Sequence, residues 1–205
     1  ANRVLLRVGD FYAAAFSELR KKASRLPWSR FLMPGQSVAI RVSCHKSKLY
    51  HAQAVAERVA GAIEDALGTP PMLQKITDED ASDPPQLIVV RLLNNHCTFS
   101  IDSSGELLHR RGYRHALAKA PLRETLAAAL LLESAWPTDV PLIDPFCGSG
   151  VIPIEAALLA LRRPAGEARR FAFMQWPEFM LEQWTTLLSR ELSDATPRKL
   201  PPLIA

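Results

Sequence analysis

The chain has 205 residues, 48% of them hydrophobic and 22% charged, with a formal net charge of +4. Those proportions belong to a soluble folded protein with room for one large or two small domains, and the modest positive charge permits a polyanionic partner. No apolar run approaches the ~20 residues that cross a bilayer, and no stretch reads as a secretory leader. Cys44, Cys97 and Cys147 are isolated and odd in number, which fits a reducing cytoplasm and speaks against a disulfide framework or a zinc site. The five histidines show no metal-ligand spacing with them, so no metal is expected.

In chain order, residues 3–8 read as a strand and 11–26 as a helix carrying Arg20, Lys21, Lys22 and Arg25. Residues 36–43 alternate like a half-buried strand. Residues 52–67 form an amphipathic helix with Val55, Val59, Ile63 and Leu67 on one face, closed by Gly68. A short strand is expected at 72–76, then an acidic, proline-ended turn at 77–85. Residues 87–93 and 96–102 read as a hairpin across Asn94 and Asn95. The order βαβαβββ suits a small α+β domain over 1–105, and Ser103-Ser104-Gly105 begins the connection to a second unit, 106–205. There a helix at 123–136 leads to an apolar strand at 140–144 and a helix at 151–161, with Ile154, Leu158 and Leu161 on one face. A further helix covers 179–192, and residues 199–205 look like the arrival of a second strand.

The run 144–150, Asp-Pro-Phe-Cys-Gly-Ser-Gly, lies between that strand and that helix. Strand, glycine turn and helix is the construction that lets bare backbone approach a nucleotide-like ligand. The spacing of Gly148 and Gly150 is too short for a dinucleotide fingerprint, and no Gly-Lys-Ser/Thr follows, which argues against an NTP loop. Two readings stand on these residues alone: a cofactor cradle, or a βα turn that needs glycines for a tight bend.

Three ordered blocks carry a resemblance. Residues 107–114 (Leu-Leu-His-Arg-Arg-Gly-Tyr-Arg), 120–130 (Ala-Pro-Leu-Arg-Glu-Thr-Leu-Ala-Ala-Ala-Leu) and 144–157, which opens on the glycine run, resemble the THUMP-domain class I methyltransferases that modify RNA. The run 171–177 also looks like that family's segment after the first Rossmann helix. The resemblance implies an α+β THUMP domain followed by the N-terminal part of an α/β Rossmann-like domain. It implies S-adenosyl-L-methionine (SAM) as cofactor, rRNA or tRNA as partner, and the exocyclic N2 of guanine as methyl acceptor. It further implies cofactor contacts from Asp144, Pro145, Phe146, Cys147, Gly148, Ser149, Gly150 and Glu155, with Pro121 and Leu122 as wall residues. Relatives catalogued as N6-adenine DNA methylases leave that activity as an alternative. A non-catalytic RNA-binding protein with a vestigial cofactor fold is another.

With a nucleic-acid partner implied, Lys46, Lys48 and Tyr50 become candidates for phosphate contact and base stacking, where otherwise they form a solvated loop. Arg110, Arg111 and Arg114, with Lys119 and Arg123 nearby, are candidates for RNA contact, for ordering the cofactor wall, or for structural ion pairs. Arg20, Lys21 and Lys22 read as a solvated helix face. Residues 83–86 (Asp-Pro-Pro-Gln) lack the aromatic of the Asp/Asn-Pro-Pro-aromatic motif that holds a target amine, and read as a turn. Cys147, inside the glycine run, does not read as a methylation nucleophile. Trp176 and Phe179 are expected to pack the helix at 179–192 against the second unit's sheet. No residue of the chain is assigned as catalytic. The chain reads as an internal fragment, inactive by itself, with Leu158, Leu161, Trp184 and Leu188 as exposed apolar positions.

Overall fold

The structure is a computed structural model and describes residues 2–75, 84–113, 122–193 and 200–205. By its contacts the chain forms two compact units, one of 3–106 with 171–179, the other of 107–170 with 180–205 and Asn2.

The first unit is a five-stranded sheet in the order β1-β5-β4-β2-β3, from β1 (Leu5–Tyr12), β2 (Ser37–His45), β3 (Met72–Leu73), β4 (Gln86–Leu93) and β5 (His96–Asp102). β2 runs parallel to β3 and β4, whereas β5 is antiparallel to β1 and β4. The helices α1 (Phe16–Ala23) and α2 (Ala52–Leu67) connect β1, β2 and β3, so the element order is the expected βαβαβββ. On α2 the buried residues are Val55, Val59, Ala62 and Ile63, one face at helical spacing. Gly68 ends α2 with φ 76°, a left-handed cap that glycine adopts without a Cβ clash. Asn94 and Asn95 join β4 to β5 with φ 51° and 63°, the paired positive φ of a tight hairpin turn.

The first helix is shorter than the expected 11–26, because β1 extends to Tyr12. The β1–β5 register shifts between Arg7 and Gly9. At Gly9 a Cβ would lie 2.6 Å from Leu26 Cδ2, so glycine there lets the residues after α1 close over the strand. Trp28 is 1% exposed and donates its indole N–H to the Ala23 carbonyl (2.8 Å), which also accepts the Leu26 amide (3.1 Å) at the end of α1. The core joins Leu19, Trp28, Leu32, Val38, Ile63, Ile88, Val90, Phe99 and Ile101, with the Phe11 ring stacked 5.1 Å from Phe99.

Residues 171–179 complete this unit. The Trp176 ring meets Phe31 edge-on at 5.0 Å, and its indole N–H donates to Gln86 Oε1 at 2.9 Å. Gln86, buried at the start of β4, in turn donates to the Asp102 carbonyl (2.8 Å). The Phe173 amide donates to Ser103, and Arg30 pairs with Glu178 at 3.0 Å. Trp176 therefore packs on the first unit and not, as expected, between the following helix and the second sheet. The same contacts employ Gln86 structurally, as the first residue of β4; of the run 83–86, Asp83 lies outside the described residues.

The second unit holds α3 (Glu124–Glu133), β6 (Leu142–Ile143), α4 (Val151–Ala160), α5 (Leu181–Ser193) and β7 (Leu203–Ile204), with β6 and β7 parallel. Ala127, Leu131, Val151, Ala156 and Ala160 supply its buried apolar side chains. Leu158, Leu161, Trp184 and Leu188 are half-buried, contrary to expectation. The large exposed apolar residues instead include Leu126, Leu130 and Leu132 on α3, Ile143 and Ile204 on the strands, Phe146 after β6, and Leu181 and Leu187 on α5. α3 is apolar around its circumference, so burying one side leaves leucines on the other.

Candidate cofactor loop and basic surfaces

Parallel β6 and β7 place the glycine loop at the carboxyl end of a strand, where open α/β sheets bind ligands. Asp144 is held there by its amide donating to the Ile204 carbonyl (2.8 Å). Its Oδ1 accepts the Phe146 amide (3.1 Å), a side-chain turn that starts the loop. The Gly150 amide donates to the Cys147 carbonyl (2.8 Å) and closes the loop onto α4, whose first helical bond runs from Ile154 to the Gly150 carbonyl. Gly148 and Gly150 have φ of 53° and 73°, which ordinary side chains rarely adopt.

A Cβ at Gly148 would meet nothing within 4 Å, so the loop faces open space there. Pro145, Phe146, Gly148 and Ser149 are exposed, while Asp144, Cys147 and Gly150 are half-buried. An open glycine cradle at the N-terminus of a ten-residue helix, with an acid closing the strand beside it, fits a polar nucleoside cofactor that needs backbone donors and close approach. Leu122 is half-buried just before α3, and Pro121 lies outside the described residues.

Glu155 sits elsewhere. It is 2% exposed on α4, its Oε1 accepts the Tyr113 hydroxyl (2.7 Å), and its Oε2 pairs with the Arg111 guanidinium at 3.1 Å. The structure thus gives Glu155 a buried network where a direct cofactor contact was expected, and gives Arg111 an ion pair where RNA was one of the partners expected. Burial raises the Glu155 carboxyl above its ordinary range, outweighing the lowering by the Tyr113 hydrogen bond and the Arg111 charge. Burial, then the bond to Glu155, raises the Tyr113 hydroxyl as well. Arg169 adds a second clasp by donating to the carbonyls of Leu107 and Arg110, each at 3.2 Å. Residues 107–113 are therefore pinned to α4 and the turn after it. Arg110 is half-buried, and Arg114 and Lys119 lie outside the described residues. Tyr113 and Arg169 went unassigned in the sequence; the one signal for Tyr113 was its place in the first motif block.

In the first unit, Lys46 and Lys48 are exposed and Tyr50 is 68% exposed, its ring 4.1 Å from that of His51. The loop is built rather than loose. The Lys48 amide donates to Asn95 Oδ1 (2.7 Å), the Asn95 amide to Ser47 Oγ (3.0 Å), and Leu49 is buried between the exposed residues. The hairpin tip thus holds two lysines and an aromatic outward, with Lys46 at φ 47°. Among the described residues no group of His, Cys, Asp and Glu could hold a metal, and no helix is long and apolar enough to cross a membrane.

A glycine cradle between a parallel strand and a helix, preceded by a βαβαβββ domain, defines the opening of a class I methyltransferase fold joined to a THUMP domain. Family models agree: residues 13–102 match the THUMP domain, and 111–200 match the RMKL-like, methyltransferase domain. The chain belongs to the THUMP-containing, RMKL-like methyltransferase family. It is 37% identical, over 91% of its length and 48% of the relative's, to a Synechocystis sp. protein named as an RNA methyltransferase. It is 36% identical, over its full length and 28% of the relative's, to the ribosomal RNA large subunit methyltransferase K/L of Methylococcus capsulatus. Among solved structures it resembles SMU.472, named as a methyltransferase and crystallised with SAH (TM-score 0.75, 30% identity, 95% of this chain and 51% of that one). The chain spans about half or less of the curated relatives it matches.

Proposed function

We propose that this protein belongs to a SAM-dependent RNA methyltransferase whose THUMP unit engages rRNA or tRNA and whose acceptor is the exocyclic N2 of guanine. The observation that carries the reading is the open glycine cradle at the end of β6, on one chain with a THUMP domain that presents a built basic loop. The names of the Synechocystis and Methylococcus relatives and the SAH in SMU.472 support it. The acceptor atom rests on the sequence resemblance. Bound SAM supplies a methyl group on a sulfonium, a good electrophile. This chain's part is to hold the cofactor: Asp144 closes the strand, Gly148 and Gly150 give backbone access, and the first turn of α4 offers amide donors. Arg111, Tyr113 and Glu155 brace α4 from its buried side.

Calorimetry of SAH with the chain tests the cradle. Gly148→Val forces a branched residue into positive φ and fills the open space, and is expected to abolish measurable binding. Unchanged affinity removes the cofactor assignment. Labelled-SAM transfer to RNA and to DNA, followed by nucleoside analysis, tests the acceptor. N2-methylguanosine in RNA supports the reading, and N6-methyladenine in DNA replaces it with the alternative.

A further inference from the structure

We infer that the groove between α1 and α2 is a second phosphodiester-binding surface for RNA, separate from the Lys46–Lys48 loop and resting on the reading that the protein binds RNA. The groove encloses ≈ 520 Å³ and is lined by Phe16, Ser17, Arg20, Lys21, Ser24, Arg58 and Asp65. The sequence marked Arg20, Lys21 and Lys22 only as a solvated helix face, but the fold separates these three cations. Lys22 turns to Glu18 (2.6 Å) and the Tyr12 carbonyl (2.8 Å). Arg20 crosses to α2 and takes Asp65 bidentately, at 2.6 and 2.7 Å. Gly61 makes room for that crossing, since a Cβ there would lie 2.9 Å from the guanidinium carbon.

The Arg20–Asp65 pair has a consequence for the groove. Asp65 is its one lining acid, and Arg20 already neutralises it, so Lys21 and Arg58 remain as uncompensated charge. Glu64 acts on Arg20 at longer range but does not line the groove. Among the described residues neither Lys21 nor Arg58 has an ion-pair partner. The Arg58 guanidinium lies 5.9 Å from the centroid of Phe16, a plate that orients it and leaves its N–H edge for a ligand. A planar fork and an ammonium lining one groove, with the Ser17 hydroxyl, match the oxygens of a phosphodiester, while the Ser24 hydroxyl is engaged with the Lys21 carbonyl (3.1 Å). With the Phe16 face taken by Arg58, the groove reads backbone charge and carries no base code.

RNA binding by the 205-residue chain, measured against salt concentration, tests this beside the Lys46→Ala/Lys48→Ala variant. Lys21 and Arg58 are exposed, so Lys21→Ala/Arg58→Gln leaves the core untouched, and circular dichroism confirms the fold. The slope of log affinity on log salt should flatten by about 1.4 for two lost single-strand contacts, equally for unrelated sequences. The charge-keeping Lys21→Arg/Arg58→Lys pair should restore the slope. If the groove variant keeps the parent's affinity and slope while the loop variant loses both, the groove is a solvated face and the RNA reading stands. If the parent itself does not bind RNA, that reading falls and takes this inference with it.

Discussion

Trp176 offers the sharpest test of how the first unit is built, because a residue far along the chain completes its structure. Trp176→Phe retains most of the ring but removes the donor to Gln86 Oε1. Gln86 is 2% exposed, so its acceptor is stranded, at a cost of ~1–3 kcal/mol. Trp176→Ala also removes the edge-on contact with Phe31. A fully buried Trp→Ala change costs ~3–5 kcal/mol. Trp176 is half-buried, so about half of that applies, and with the Gln86 penalty the loss reaches ~4 kcal/mol. Native-state hydrogen exchange, read on the amides of β4 and β5, is the suitable assay, since three other tryptophans complicate fluorescence. Protection should fall about 1,000-fold in Trp176→Ala and about 30-fold in Trp176→Phe, at roughly 1.4 kcal/mol per factor of ten. A change of less than tenfold in Trp176→Ala would mean that residues 171–179 only rest on a unit already complete without them. By the same reasoning, a chain ending at 105 should be less protease-resistant than one retaining 171–179.

Three further outcomes follow from the site. Burial lifts the Glu155 carboxyl above its ordinary 4.5, so the folded state holds that proton more tightly than the unfolded chain. Its contribution to stability is full below that value and is lost as pH rises through the raised one; Glu155→Gln should flatten this fall in a pH series of unfolding curves, and an unaltered pH slope would discard the buried-carboxylate account. Thiol alkylation should reach Cys147 first, because Cys97 is fully buried with its thiol pushed up to about 11 by desolvation, and burial raises Cys44 as well. SAH should slow labelling of Cys147 if it sits over the loop; mass spectrometry showing no protection by SAH counts against the cradle. Lys46→Ala with Lys48→Ala should weaken binding of all RNA sequences and flatten the salt slope by about 1.4, and intact binding would return that loop to solvent.

Local chemistry wrote much of this fold into the sequence. The helix over 52–67 ends where Gly68 can turn left-handed, the hairpin turns where two asparagines tolerate positive φ, and the cradle lies where two glycines separate a short strand from a helix. Each signal involves neighbours within a turn or two, so spacing and residue type suffice to find it. The start of the first helix was misjudged because pairing with β5, some ninety residues away, keeps 11–12 extended. The candidate surfaces divide in the same way. Lys46, Lys48 and the glycine loop could be marked as candidates from the sequence, but only tertiary structure decided that Trp176 would satisfy Gln86 across 90 positions. It alone decided that Glu155 would bind Tyr113 across 42, and that Arg20 would silence Asp65 across 45 and leave Arg58 its charge. A glutamate, a tryptophan or an arginine carries no local mark of its partner; burial and the geometry of packed helices choose it.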